Sequence, residues 1–321
     1  MVLIISNSQD VTVDYLLPLL DEAEVPYLRF DTDRILEGAE FTYRLSLPAL
    51  HWQGHSFEPQ SFTNVWYRRP QRLKMPAQVN GSDDDYLLDE WSEAIEGFLA
   101  HIPKFRWVNH PSANALASNK LEQLTTASRM GLTVPKTLVT QDPERLREFF
   151  FECAERIIAK PMSSGLLERS DSDQVSLIYT SQVTKADLEN LDDLRNCPTL
   201  FQEHVQKTLD IRVTIIDQDV HSVSLAAGAE GVQRCDIRRD NMEDVIYQPC
   251  ALPDHIRTKL LALMEYYRLR FAAIDLAITE NGEWVYFETN PNGQWAWLDL
   301  SGGMRIGESF VRAFAQQNPS S

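Results

Sequence analysis

Three oxygen-bearing side chains near the C-terminus, Asp275, Glu288 and Asn290, are spaced as ligands for a hard cation. They flank Asn281-Gly282, and an Asn-Gly pair between two apolar runs is the strongest short-range hairpin signal. A two-residue loop there sets Glu280 opposite Glu283. Counting outward, Asp275 falls directly opposite Glu288, and Asn290, two residues on, shares the face of Glu288. Directly opposed carboxylates repel. Their neighbours are apolar, so the repulsion is felt unless a cation relieves it. Two carboxylates and an amide oxygen suit magnesium, which keeps waters and takes further ligands from substrate phosphates. The plainer explanation is a solvated strand face with incidental acids. Against it, Asp-Leu-Ala-Ile from position 275 and Val-Tyr-Phe-Glu from position 285 read as buried strands.

A second group of residues has the chemistry of nucleotide binding. Arg156 to Lys160 is an apolar strand delivering a lysine to the small loop Met162-Ser163-Ser164-Gly165. A lysine beside main-chain N–H groups of a Ser/Gly loop can cradle phosphate. Thr199 to Val205 is a strand that changes character at Gln202-Glu203-His204-Val205, where main-chain groups can meet an adenine edge. Asp210 could accept from ribose hydroxyls. Arg212 shares its face on a regular strand and can clamp a phosphoryl group through two hydrogen bonds. Taken singly these have ordinary readings too: many strands end in lysine, and Asp210 with Arg212 could be a plain surface pair.

The elements that must position these groups follow from periodicity. Val2–Ser6 is a short buried strand, Val11–Glu24 a helix with Leu16, Leu17, Leu19 and Leu20 near one face, and Tyr27–Phe30 a second strand. Strands over Phe41–Trp52 and Asn64–Arg69 and a helix over Asp83–His101, capped by Ser82, complete a small α/β domain. His110-Pro111-Ser112 marks a boundary. A helix over Ala113–Met130 then stops at Gly131. Strands and helices alternate to Val205. The last part holds strands over Ile211–Asp217 and Val220–Ala226, a helix over Pro253–Arg270, the Asn281-Gly282 hairpin, and a closing helix over Ile306–Gln316.

Composition bounds the rest. The 321 residues are 43% hydrophobic, enough for two or three packed domains, and carry a net charge of −17. That charge argues against nucleic-acid and anionic-membrane partners, which need a basic face. Local basic pockets remain open at Tyr67-Arg68-Arg69 with Arg72 and Lys74, and at Arg238-Arg239. The four cysteines have no zinc or redox spacing and read as reduced cytosolic thiols. Without a signal peptide or a membrane-spanning run, the expected location is cytoplasmic.

In chain order, Asn119-Lys120, Ile158-Ala-Lys160-Pro161, Gln202-Glu203-His204-Val205, Asp210-Ile-Arg212, Asp275 and Glu288-Thr-Asn290-Pro-Asn-Gly293 resemble the ATP-grasp superfamily over nearly the whole chain. The resemblance implies an ATP-grasp fold of mixed α/β class: an N-terminal α/β domain (1–110), a central lid-like domain (111–205) and a C-terminal antiparallel-sheet domain (206–321). It implies ATP contacts from Lys120 and Lys160 to phosphates, closure of Ser163-Ser164-Gly165 over ATP, and an adenine hinge at Gln202, Glu203, His204 and Val205. Asp210 would hold ribose, Arg212 the transferred phosphate, and Asp275, Glu288 and Asn290 the Mg2+.

Two stretches, Val65-Trp-Tyr-Arg-Arg-Pro70 and Asn290-Pro-Asn-Gly-Gln-Trp-Ala-Trp297, are similar to the microviridin-type ligases, the graspetide synthetases. That likeness implies a homodimer acting on a precursor peptide of leader plus acidic core. Side-chain carboxylates would be joined to Thr/Ser hydroxyls or Lys amines as macrolactones or macrolactams. Arg212, Arg238 and Arg239 are the candidates for handling the acidic core, with Arg68 and Arg69 as outer support. Domain-interface packing is the rival role for Tyr67-Arg68-Arg69, and simple core is the favoured one for Trp295 and Trp297. Two rival functions stand beside this one. One is an ATP-grasp ligase that joins free amino acids or extends a peptide terminus; the other is a non-catalytic nucleotide or peptide binder.

Overall fold

The computed structural model describes residues 1–45, 47–73, 83–163, 165–168, 175–226 and 245–316. The N-terminal part runs β1 (Val2–Ser6), α1 (Val11–Glu22), β2 (Tyr27–Asp31), β3 (Glu40–Arg44), β4 (Leu47–Trp52), β5 (His55–Phe57), β6 (Asn64–Tyr67), α2 (Asp84–Leu99) and β7 (Trp107–Val108). Strands β2-β1-β6-β7 form a parallel sheet, in which the central β1 is buried along its whole apolar run while the edge strand β2 alternates. The stretch from Phe41 to Trp52, read above as one strand, is two. The chain reverses at Leu45, whose φ is 39°, and β3-β4-β5 make a small antiparallel sheet. Ser82 lies outside the described residues; Asp83 holds the N-cap position of α2.

The central part runs α3 (Pro111–Ala117), α4 (Lys120–Arg129), β8 (Thr137–Thr140), α5 (Pro143–Glu152), β9 (Ile157–Lys160), β10 (Leu166–Glu168), β11 (Val175–Leu177), β12 (Ser181–Val183) and β13 (Thr199–Glu203). Its main sheet has the order β12-β9-β13-β8, and β10 pairs with β11. The helix expected over Ala113–Met130 is broken. Asn119 leaves the helical region, and its side chain accepts from Leu121 N and Glu122 N at 3.1 Å. Such a cap satisfies the orphan donors of a new helix. Lys120 thereby becomes a first-turn residue, not a mid-helix one.

The last part runs β14 (Lys207–Ile216), β15 (Asp219–Ala226), β16 (Ile246–Pro249), α6 (Asp254–Tyr267), β17 (Phe271–Thr279), β18 (Trp284–Asn290), α7 (Ala296–Gly302) and α8 (Ile306–Ala315). The antiparallel sheet has the order β16-β15-β14-β17-β18. One face packs on α4 and α6 through Val213, Ile215, Leu260, Ile274 and Tyr286. The N-terminal sheet and α1 share a core with the C-terminal helical segment: Ile4, Leu16 and Trp66 cluster with Trp295, Phe310 and Phe314. Among the described residues no helix is long and apolar enough to cross a membrane.

Two polar side chains bind the N-terminal sheet to the last hairpin. Asn109 donates to Phe271 O at 2.9 Å and Pro291 O at 3.0 Å, and accepts from Arg270 N and Phe271 N. Arg68, fully buried, donates to Gly293 O at 3.1 Å, Gln294 Oε1 at 2.7 Å and Asn292 O. Its Nε lies 3.4 Å from Asp10 Oδ2. Burial lowers the guanidinium pKa to about 10, with Asp10 opposing, so it stays charged near neutrality. Arg68 is thus an interface staple, which removes it from the outer support of a substrate cleft. Breaking a buried pair leaves an uncompensated charge, so Arg68→Met should cost about 3–5 kcal/mol in urea unfolding. Arg68→Lys should not recover it, because an ammonium cannot reproduce the fork. A loss below about 1 kcal/mol, the level of an exposed pair, would contradict the staple.

Candidate active site

A cleft of about 880 Å³ lies between the central sheet and the exposed face of the C-terminal sheet. Lys120, Lys160, Ser163, Gln202, Glu203, His204, Val205, Asp210, Arg212, Asp275, Glu288 and Asn290 all line it. Gly165 does not. Its φ is 74°, and a Cβ there would stand 2.7 Å from Ile178 O, so it turns the chain behind the cleft wall. Ser164, Arg238 and Arg239 lie outside the described residues.

The hairpin register sets Asp275 opposite Glu288, but not by the simple count. The loop is Glu280-Asn281-Gly282: Thr279 N donates to Glu283 O at 3.0 Å, and Gly282 has φ 78°. A three-residue loop with a left-handed glycine is the next common hairpin. Ile278 therefore pairs with Trp284 and Leu276 with Tyr286. An extra residue, Phe287, then bulges from β18 and restores the offset at Asp275. The bulge also resolves a conflict of faces. Tyr286 is buried and Thr289 nearly so, whereas Phe287, Glu288 and Asn290 all face the cleft. Regular alternation cannot put both Phe287 and Glu288 on one face.

Asn290 Nδ2 donates to Glu288 Oε1 at 3.1 Å and to Asp275 Oδ2 at 3.4 Å, so the three side chains converge. Cations neutralise both acids. Arg212, directly across the ladder from Asp275, brings Nη1 to 3.2 Å from Oδ1. Lys120 Nζ lies 3.6 Å from Glu288 Oε2 and donates to Pro161 O at 2.9 Å. Among the described residues no three His, Cys, Asp or Glu side chains form a metal cluster. As placed, the Asn290 amide turns Nδ2 toward both acids; rotated about χ2 it would offer Oδ1 beside the two carboxylates, an oxygen donor set of the kind magnesium takes when water and substrate phosphates supply the rest.

On the opposite wall, Gln202 is buried and donates to Thr137 Oγ1 at 2.9 Å, bracing β13 against β8. Glu203 N donates to Lys136 O and His204 N to Arg156 O, both at 2.9 Å, so neither N–H is open to a ligand. Burial, then Lys207 and Arg156, holds the His204 imidazole below its ordinary pKa.

Sequence reasoning missed Lys207 and Phe287. Lys207 Nζ donates to Asp210 Oδ1 at 2.6 Å and lies 5.8 Å from the Phe287 ring centroid. Counting back from Asp210 by twos gives Thr208; a register shift between Lys207 and Leu209 turns Lys207 into the cleft instead. Arg69 also lines the cleft, its Nη2 3.4 Å from Asn292 O. Trp297 lines it too and packs on Tyr247, whereas Trp295 is plain core.

Gly293 tests how tightly this corner is built. A Cβ there would stand 2.4 Å from Ala273 Cβ, and Ala273 pairs with Asn290. Overpacking of this kind costs about 1–3 kcal/mol, so Gly293→Ala should destabilise by that amount in urea unfolding. Adding Ala273→Gly should restore part of the loss; an unchanged or larger loss would place the clash elsewhere.

Comparisons with known proteins bear on the fold that carries this cleft. Residues 1–115 match the family model of the MvdD pre-ATP grasp domain. The macrocyclase MdnC from Microcystis aeruginosa MRC, solved with precursor peptide MdnA, is 28% identical with a TM-score of 0.84, covering 98% of this chain and 99% of its own. A RiPP-associated ATP-grasp ligase from Chryseobacterium gregarium, solved with ADP and a leader and core peptide, is 24% identical with a TM-score of 0.87, covering 99% and 97%. A probable alpha-L-glutamate ligase of Saccharophagus degradans is 24% identical over 185 residues, 57% of this chain and only 58% of that protein. The chain has the ATP-grasp fold along its length, is similar over residues 1–115 to the MvdD pre-ATP grasp domain, and resembles a macrocyclase and a RiPP-associated ATP-grasp ligase over nearly its whole length.

Proposed function

We propose that the protein is an ATP-dependent carboxylate ligase that macrocyclises a ribosomally made precursor peptide. The observation that carries this reading is the convergence of Asp275, Glu288 and Asn290 with Arg212 and Lys120 in one cleft. The full-length likeness to a macrocyclase supports the substrate class.

In this reading the γ-phosphoryl group of ATP passes to an Asp or Glu side chain of the peptide. A carboxylate oxygen attacks the phosphorus, the bond to ADP breaks, and an acyl-phosphate forms. A Thr or Ser hydroxyl or a Lys amine then attacks the carbonyl carbon. Phosphate leaves with one former carboxylate oxygen, and the nucleophile's proton is released. Asp275, Glu288 and Asn290 would hold magnesium, which would supply charge compensation on the phosphates. Lys120 and Lys160 hold the phosphates, and Arg212 takes the transferring group. Asp210, itself held by Lys207, accepts from ribose. The Gln202–Val205 segment meets adenine through groups other than the two occupied N–H donors. Holding the nucleophile against the acyl-phosphate supplies much of the rate.

The acidic core would meet Arg69, with Arg238 and Arg239 as further contacts. The domain limits near 110 and 205, the homodimer and a cytoplasmic location belong to the same proposal. The likeness to a probable alpha-L-glutamate ligase favours a second reading, in which a free amino acid or a peptide terminus is the acceptor.

Incubating the protein with ATP, magnesium and a Thr/Glu-rich peptide should give a product lighter by one or more waters in mass spectrometry. Glu288→Gln should abolish it. ADP release with a free amino acid as acceptor, and no dehydration, would support the second reading instead. In the same assay, Arg69→Glu should raise the peptide KM at least tenfold, since like-charge juxtaposition costs several kcal/mol. The KM for ATP should hold. Unchanged peptide KM in Arg69→Glu, or in the Arg238→Glu/Arg239→Glu variant, would remove that residue from the peptide site.

A further inference from the structure

β18 is an edge strand, yet it carries two of the three converging oxygen ligands. An edge strand lacks ladder bonds on one side, so its main chain needs other partners to stay in place. Near its start, Tyr286 N donates to Thr133 O at 2.8 Å. At Thr289, between Glu288 and Asn290, the partner is a side chain from α4. Gln123 Oε1 accepts from Thr289 N at 2.8 Å, and Gln123 Nε2 donates to Thr289 O at 2.8 Å. One amide thus makes the pair of bonds that a neighbouring strand residue would make. Its remaining capacity is also used: Oε1 accepts from the Tyr286 hydroxyl at 3.2 Å, and Nε2 donates to Ala117 O. Gln123 is 2% exposed, so these bonds have no water to replace them.

The same helix carries Lys120 three residues earlier, and residues three apart on a helix are neighbours. α4 therefore grips the hairpin twice, by Lys120 beside the Glu288 carboxylate and by Gln123 on the main chain one residue further. We propose that Gln123 is a positioning residue for the divalent cation, fixing the main chain between Glu288 and Asn290 and hence the spacing of the trio. This inference rests on the reading of that trio as the magnesium site.

The substitution Gln123→Met keeps the volume and leaves Thr289 N–H and C=O buried without partners. Gln123→Glu keeps the acceptor toward Thr289 N and serves if the Met variant does not fold. The readout is Mn2+ binding to the full chain at saturating ADP, followed by the free-ion electron paramagnetic resonance signal. ADP binding in EDTA is measured alongside. Groups that orient metal ligands typically alter affinity about 10–100-fold, and Gln123→Met should weaken Mn2+ by that factor. ADP binding in EDTA should stay near the wild-type value. Mn2+ affinity equal to wild type in the Gln123 variants, with Glu288→Gln strongly weakened, would overturn the positioning role alone. Equal losses of Mn2+ and of EDTA-resistant ADP binding would also overturn it, as a general collapse of the cleft. If Glu288→Gln itself binds Mn2+ like wild type, the metal reading beneath the inference fails.

Discussion

Two carboxylates stand face to face across a β-ladder, and the cleft is organised around their repulsion. Asp275 and Glu288 are partly shielded from water, where like charges interact more strongly than in solvent. Each is met by a cation from a different element: Arg212 from β14 for Asp275, and Lys120 from α4 for Glu288. The hairpin alone is therefore electrostatically incomplete; the neighbouring strand and the helix N-terminus must close on it. In the proposed reaction, a divalent cation would take over this neutralisation. Arg212 and Lys120 would then face the phosphates.

That arrangement needs a rigid support, and the chain draws it from its opposite end. Val65–Pro70 and Asn290–Trp297 are more than two hundred residues apart in sequence, yet Arg68 binds the main-chain carbonyls of the second stretch. Asn109 joins the same corner to the start of β17. Gly293 allows the backbone to approach Ala273 more closely than any side chain permits. The two stretches that resemble the microviridin-type ligases are thus halves of one contact. Part of what looks like a substrate motif in the sequence is the joint that keeps the C-terminal sheet against the N-terminal one. Arg68 and Arg69 divide these roles, one buried in the joint and the other facing the cleft.

The sequence made the fold class and most of the cleft legible because the chemistry sits on long apolar strands. Alternation places Asp210 with Arg212, and Glu288 with Asn290, on one face, and all four line the cleft. The Asp275–Glu288 pairing was right for a compensated reason. The loop is one residue longer than the Asn-Gly count assumes, and the bulge at Phe287 returns the offset. Bulges are set by tertiary demands, here the burial of Tyr286, and leave no mark on a count by twos. Lys207 and Phe287 were missed for that reason. The break between α3 and α4 was missed differently: the apolar period continues through Ser118, and only Asn119 as a cap betrays it. Arg68 shows the limit of reading charge as exposure, since nothing local marks an arginine as fully buried.

The most direct measurement of the central claim follows oxygen. A Thr/Glu-rich peptide labelled with 18O in both oxygens of its Glu carboxylates is converted with ATP and magnesium, and the released phosphate is analysed. Activation through an acyl-phosphate predicts one 18O in phosphate for each bond formed, with the other retained in the product carbonyl. Unlabelled phosphate accompanying a dehydrated product would contradict the account, because ATP would then have been cleaved without passing its phosphoryl group to the carboxylate.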